Sequence, residues 1–164
     1  MKEVETQKYR RAMASDAENL TALMRRAKAH WGYPEEWMQA WQQELTMTPE
    51  WINNNTVVLL IVNHNVIGFY GLEFQTNVAY LNHLWIEPHF IGVGFGKALF
   101  LNACQNVGDA NYSIVELNAD PNAEDFYLHL GAIRVGEVYG EVLGTPRVLP
   151  KLQVILSNIN EKRA

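Results

Sequence analysis

Hydrophobic and polar positions along the chain follow two different periods. Thr56–Val62 is a branched apolar run, and Val66–Phe74 and Val78–Ile86 follow it across the polar breaks Asn63-His64-Asn65 and Gln75-Thr76-Asn77. Runs of this length and composition, punctuated by turn residues, predict three antiparallel strands. Upstream, Tyr9–Ala12 reads as a first strand. Over 16–30 the apolar residues Leu20, Leu23, Met24 and Ala27 recur at helical spacing, with Ser15 or Asp16 as the N-cap. A second helix is predicted to start at Pro34-Glu35-Glu36 and run toward Leu45, because proline and acidic groups suit a first turn, and Pro49 opens a shorter turn. Downstream the pattern predicts a helix over 96–107, a strand over Ser113–Leu117, a helix over Asn122–Leu130, an extended run from Ile133 to Tyr139 and a last strand over Leu152–Leu156. The polar end from about residue 158 is expected to be a frayed tail. Strands and helices share the chain without a linker or a repeat, which predicts one α/β domain over 1–164.

The junction after the third hairpin strand carries the most chemistry. There the chain reads Ile86-Glu87-Pro88-His89-Phe90-Ile91-Gly92-Val93-Gly94-Phe95-Gly96-Lys97 and passes into a helical pattern. Glycines at 92, 94 and 96 free the backbone of Cβ bulk, so successive N–H groups can converge on phosphate oxygens, helped by the positive end of the following helix. An ordinary tight turn has the same composition. The dinucleotide fingerprint fits less well, since the spacing is Gly92-x-Gly94-x-Gly96, and no lysine followed by Ser or Thr provides a P-loop clamp. Lys97 either adds positive charge to the turn or is a solvated first-turn residue.

Composition narrows the class. The chain has 164 residues, 48% of them hydrophobic, enough for one sizeable core. A formal charge of −5 disfavours a nucleic-acid surface. Cys104 is the only cysteine, the start lacks a signal-peptide core, and no apolar run reaches membrane-spanning length. A cytoplasmic protein without nucleic-acid or membrane partners is expected, with no metal site.

These residues carry a resemblance. The stretch through Gly96, together with Asn122, Ala123, Phe126, Tyr127 and Gly131, resembles the two motifs of the GCN5-related N-acetyltransferase superfamily, in the family's order, and the likeness spans roughly Tyr9 to Leu156. The end of the chain is similar to a bacterial subgroup. The resemblance implies a mixed, mostly antiparallel twisted central sheet flanked by helices. It implies acetyl-CoA as acyl donor, with the amides of Val93, Gly94, Phe95 and Gly96 on the pyrophosphate, Ile91, Gly92 and Lys97 flanking them, and the pantetheine arm along Leu84, Trp85 and Ile86 where two strands part. Ile91 departs from the glutamine or arginine often found at the head of the family's turn. Tyr127 falls where the family places a phenol beside the CoA sulfur, although a core aromatic is the plain reading of its helix. Asn122 either caps that helix or binds the CoA arm.

An alkylammonium must lose a proton before its nitrogen can attack, so a base is required. His83 is chemically suited, and a strand histidine is also a common packed residue; Glu73 is the second candidate. The implied reaction is transfer of acetyl to a primary amine of a small or amino-acid-like molecule. A CoA-binding module without transfer, and a protein or peptide N-acetyltransferase, stay open. For the acceptor pocket the candidates are Trp31, Tyr33, Trp37, Tyr80 and Arg147. Trp37 and Trp41, at four-residue spacing, are equally a core pair, and Arg147 is equally a structural ion pair. A homodimer is possible on this reading.

Overall fold

The computed structural model describes residues 5–163. Its strands are β1 (Gln7–Arg11), β2 (Thr56–Val62), β3 (Asn65–Phe74), β4 (Ala79–Ile86), β5 (Ile114–Asn118), β6 (Ile133–Val142) and β7 (Thr145–Ile155). Its α-helices are α1 (Ala17–Ala29), α2 (Glu35–Ala40), α3 (Pro49–Asn54), α4 (Phe95–Asp109), α5 (Glu124–His129) and α6 (Leu156–Arg163). The strands form one sheet in the order β1-β2-β3-β4-β5-β7-β6. The β4–β5 pair is parallel, while β1–β2, β2–β3, β5–β7 and β6–β7 are antiparallel. This is the mixed, mostly antiparallel arrangement expected. By their contacts the residues gather into two compact units, one running through Leu72 and resuming over His83–Phe100, the other made of Glu73–Asn82 and the chain from Leu101 onward.

In the first unit, β1 and β2 pair from Gln7 with Val62 to Arg11 with Val58. The β2–β3 hairpin turns at Asn63 and His64, both at positive φ (48° and 70°), as a tight antiparallel hairpin demands. Val57, Val58, Leu59 and Leu60 are all buried, which is why this strand reads as a continuous apolar run and not an alternating one. Leu20, Leu23, Met24 and Ala27 of α1 are buried as their spacing predicts. Asp16 does not cap α1 with its side chain. Its carboxylate instead accepts the Met13 N–H at 2.7 Å and both Arg10 amino groups at 2.9 and 3.0 Å, and these hold its pKa below the usual carboxylate range, the Arg10 hydrogen bonds most of all.

Two glycines of β3 are there for lack of room. A Cβ at Gly68 would stand 2.6 Å from Ile86 Cδ1 and 2.7 Å from the Trp85 carbonyl oxygen, and one at Gly71 would stand 2.8 Å from the Trp51 ring. β4 therefore runs closer to β3 here than any side chain allows.

Three expectations are corrected. α2 ends at Ala40 and does not reach Leu45, because the Arg25 guanidinium takes the carbonyls of Leu45 (3.2 Å) and Gln42 (3.1 Å), drawing that segment into turns. Pro49 opens a helix, α3, capped by the Thr48 hydroxyl accepting the Trp51 N–H at 3.0 Å. Leu156–Arg163 form a helix, α6, where a strand was expected up to Leu156 and a frayed tail from about 158.

In the second unit, the short parallel ladder pairs Ala79 with Val115 and Tyr80 with Glu116. β5 then pairs along its whole length with the end of β7, from Ile114 with Ile155 to Asn118 with Lys151. The long β6–β7 hairpin turns at Leu143 and Gly144, φ 47° and 82°. Val115, Leu117, Leu152 and Val154, together with Ala103 and Val107 of α4, supply its buried apolar side chains.

Candidate active site

β4 stops at Ile86, and the next residues are fixed one by one. The Glu87 N–H donates to the Ile67 carbonyl at 2.8 Å, Phe90 N–H to the Glu87 carbonyl at 2.9 Å, and Ile91 N–H to the Pro88 carbonyl at 3.3 Å. Gly92 and Gly94 then take φ of 86° and 96°. A Cβ at either would meet nothing within 4 Å, so these two are glycine for their left-handed backbone and not for space. α4 begins as Ala98 N–H donates to the Gly94 carbonyl at 3.1 Å.

Among the described residues, no backbone amide from Gly92 through Lys97 donates a hydrogen bond of good geometry. Three of these amides, those of Phe95, Gly96 and Lys97, are the first-turn donors every helix leaves open. The Phe95 ring is buried and packs edge-on against Phe90 at 5.8 Å, which anchors the turn from below, while Ile91 and Val93 are exposed. Lys97 is exposed in the first turn of α4. The result is a rigidly entered turn whose open N–H groups and positive helix end suit an anion such as a pyrophosphate.

His83 lies three residues before the end of β4 and is boxed by aromatics. Trp51 stands edge-on to it at 4.9 Å, Phe69 lies at 6.1 Å, and Trp85 Nε1–H donates to His83 Nδ1 at 3.1 Å. An indole N–H only donates, so Nδ1 carries no proton and the neutral ring holds its proton on Nε2. Loss of water around the ring lowers its pKa to about 4. With its one lone pair taken and its basicity reduced, His83 does not fit the role of general base. The same geometry makes a pH prediction. A folded pKa below the free value of 6.5 means that the neutral ring stabilises the fold above pH 6.5, and that this is lost as pH falls toward 4, by roughly 3 kcal/mol at most. An NMR titration should find the His83 ring neutral, protonated on Nε2, down to about pH 5. Urea unfolding at pH 7 and 4.5 should show wild type losing more stability than His83→Gln.

In the second unit, Tyr127 of α5 is buried. Burial, and after it the charge of Asp120, push its phenol pKa well above the ordinary 10. Asp120 is the hub of this group. Its Oδ1 accepts both the backbone N–H (2.9 Å) and the side-chain amide (3.0 Å) of Asn122, and its Oδ2 pairs with Arg147 at 3.6 Å, with both side chains largely buried. Asn122 therefore does not cap α5; Asp120 caps the short 3-10 turn Pro121–Ala123 ahead of it. Glu73 accepts the Asn82 amide at 2.9 Å, and Tyr80 is half-buried on the parallel ladder.

The aromatic residues expected around the acceptor divide. Tyr33 stacks on Trp37 (6.0 Å) and meets Trp41 edge-on (4.9 Å), and the Lys28 ammonium sits over the faces of Tyr33 and Trp41 at 5.0 and 4.6 Å. Trp31 stands outside this cluster against His30 and is exposed. Sequence reasoning gave no role to Trp51, whose ring partner His83 is remote in sequence, to Lys28 or to Glu87. Glu87 is paired with Arg26.

The mixed sheet and the glycine turn between β4 and α4 together give the architecture of an acetyltransferase fold. Residues 14–142 match the family described as acetyltransferase (GNAT) domain, and the chain belongs to that family. No curated protein sequence matches it significantly. Among solved structures it resembles a GCN5-related N-acetyltransferase from Rhodopseudomonas palustris (TM-score 0.78, 16% identity, 92% of this chain and 96% of that one). It also resembles the PaiA N-acetyltransferase from Thermoplasma acidophilum in complex with coenzyme A (TM-score 0.71, 18% identity, 92% and 99%). A third likeness is to the ribosomal-protein-S18-alanine N-acetyltransferase from Escherichia coli (TM-score 0.70, 14% identity, 92% and 94%).

Proposed function

We propose that this protein transfers an acetyl group from acetyl-CoA directly to a primary amine of a small or amino-acid-like acceptor. The observation that carries the proposal is the run of open amides from Gly92 to Lys97 at a strand-to-helix joint. In this reading the amides of Val93 to Gly96 hold the CoA pyrophosphate, with Lys97 as a nearby charge and Ile91 as the exposed head of the turn. The parallel ladder begins at Ala79 and Tyr80 and leaves the edge of β4 over Leu84, Trp85 and Ile86 for the pantetheine arm, which would add hydrogen bonds as an extra strand does. The PaiA relative that binds coenzyme A supports the choice of donor.

In the chemical step the amine nitrogen attacks the thioester carbon, the C–S bond breaks, and the thiolate takes its hydrogen from the Tyr127 hydroxyl. The amine's surplus proton passes to Glu73 or to water and restores the phenol. Acceptor recognition falls to Trp31, Trp37 and Tyr80, with Arg147 acting through Asp120 instead of on a substrate carboxylate. An acceptor cation that uses Tyr33 must first displace Lys28 from its face.

The likeness to an enzyme that acts on a ribosomal-protein alanine keeps peptide N-termini among the acceptors. The test is release of CoA thiol from acetyl-CoA in the presence of small amines, amino acids and peptides, alongside calorimetry. Transfer to any of them is the expected result. Tight binding with no transfer to any class would make the protein a CoA-binding module, and no binding at millimolar acetyl-CoA would overturn the donor assignment.

A further inference from the structure

Glu87 is held from three sides at the point where β4 gives way to the open-amide turn. Its N–H is fixed to β3 through the Ile67 carbonyl, and its carbonyl is fixed to the Phe90 N–H. Its carboxylate takes both arms of the Arg26 guanidinium, Nε to Oε2 at 3.1 Å and the terminal amino group to Oε1. The Glu87 side chain is 18% exposed and the Arg26 side chain 54% exposed, so the ion pair is shielded on the Glu87 side.

Arg26 lies one turn before the end of α1, on a helix whose apolar stripe, Leu20, Leu23, Met24 and Ala27, is sunk in the core. Its guanidinium is therefore carried by a rigid element. A planar fork on a carboxylate fixes orientation as well as distance, which a single contact does not. The backbone bonds of Glu87 fix where the chain leaves the sheet, and the fork fixes its rotation there. Five residues later the chain must present amides in left-handed conformation to an anion, and each degree of freedom removed beforehand lowers the ordering cost of binding.

We infer that Arg26 is a positioning residue for acetyl-CoA: through its two-armed pair with Glu87 it holds the entry to the 92–97 turn in its anion-binding course. The inference rests on the donor reading above. Arg26 touches no reacting atom in this scheme, and its effect falls on donor affinity, not on acceptor affinity.

The experiment is calorimetry with acetyl-CoA on wild type, R26A, E87A and the double variant R26A/E87A, at a temperature well below the unfolding midpoint of each. Each single change should weaken acetyl-CoA binding roughly threefold to tenfold, and the double variant should be no weaker than the worse single, because both remove one interaction. Arg26→Lys, which keeps the charge and one arm, should recover part of the loss, and acceptor KM should stay at the wild-type value. Unchanged donor affinity in folded R26A, with only a lower midpoint, would reduce the pair to a structural contact and overturn the inference while the donor reading stands. Losses that multiply in the double variant would overturn it equally, and absence of binding by wild type would remove the donor reading and this inference together.

Discussion

A Tyr127→Phe variant is expected to turn over about a hundredfold more slowly than wild type while binding acetyl-CoA with unchanged affinity. The substitution removes one oxygen and keeps the ring that fills the buried site in α5 and meets Phe126 edge-on at 5.0 Å. The phenol pKa is raised, by burial first and by Asp120 second, so the hydroxyl keeps its proton across and beyond the neutral range. In the proposed mechanism a phenol in that state serves as hydrogen-bond donor to the departing thiolate and not as the base. Sign and pH window follow. Ionisation of this tyrosine should cause no loss of rate below its ordinary value of 10, and any alkaline limb seen lower than that belongs to another group. Single-turnover rates, measured where the chemical step limits, check the first claim. Equal rates for the two proteins would remove Tyr127 from the mechanism.

The second large effect is expected at Gly94. Proline there would lock φ near −65°, against the observed 96°, and would delete one of the open amides. A well-formed hydrogen bond from an amide to a charged oxygen is worth about 1.5–3 kcal/mol, so Gly94→Pro should weaken acetyl-CoA binding roughly tenfold to hundredfold. Gly96→Pro removes an amide within the first helical turn, where proline is tolerated, and should cost less. Lys97→Ala should cost the least, a few-fold at most, because an exposed charge is screened. Calorimetry on the three variants gives the order directly, and a larger loss in Lys97→Ala than in Gly94→Pro would mean that side-chain charge, not the backbone, holds the anion.

What the sequence revealed of this fold depended on how local each signal was. β2 occupies Thr56–Val62 as read, and the buried stripe of α1 falls on the four residues that its period marked, because burial on one or both faces writes itself into neighbouring positions. α2 was overextended because its end is set by Arg25, a residue of another helix reaching Gln42 and Leu45. β7 starts at Thr145, seven residues before the expected Leu152, since Pro146 and Pro150 argue against a strand. Both prolines fall where β7 pairs with β6 alone, ahead of the Lys151–Ile155 stretch that also pairs with β5, so the missing N–H groups cost no second ladder.

The site followed the same division. The glycine turn was legible because its conformation is encoded in consecutive residues. The aromatic box of His83 was not, since Trp51 and Phe69 reach it from other elements, and with the box went the correct protonation state of the ring. Arg26 and Glu87 stand 61 positions apart, and nothing in the composition around either announces the pair.

Gly68 has a consequence for any survey of mutational tolerance in this protein. Even alanine there would press on the carbonyl of Trp85, a backbone atom with no rotamer to escape through, so every replacement should score as damaging. In a survey scored by activity alone, Gly68 and Gly94 would look alike. They part once the amount of folded protein is scored separately: the first position is intolerant because a sheet must close over it, the second because its backbone must turn left-handed at the place where the proposed function seats an anion.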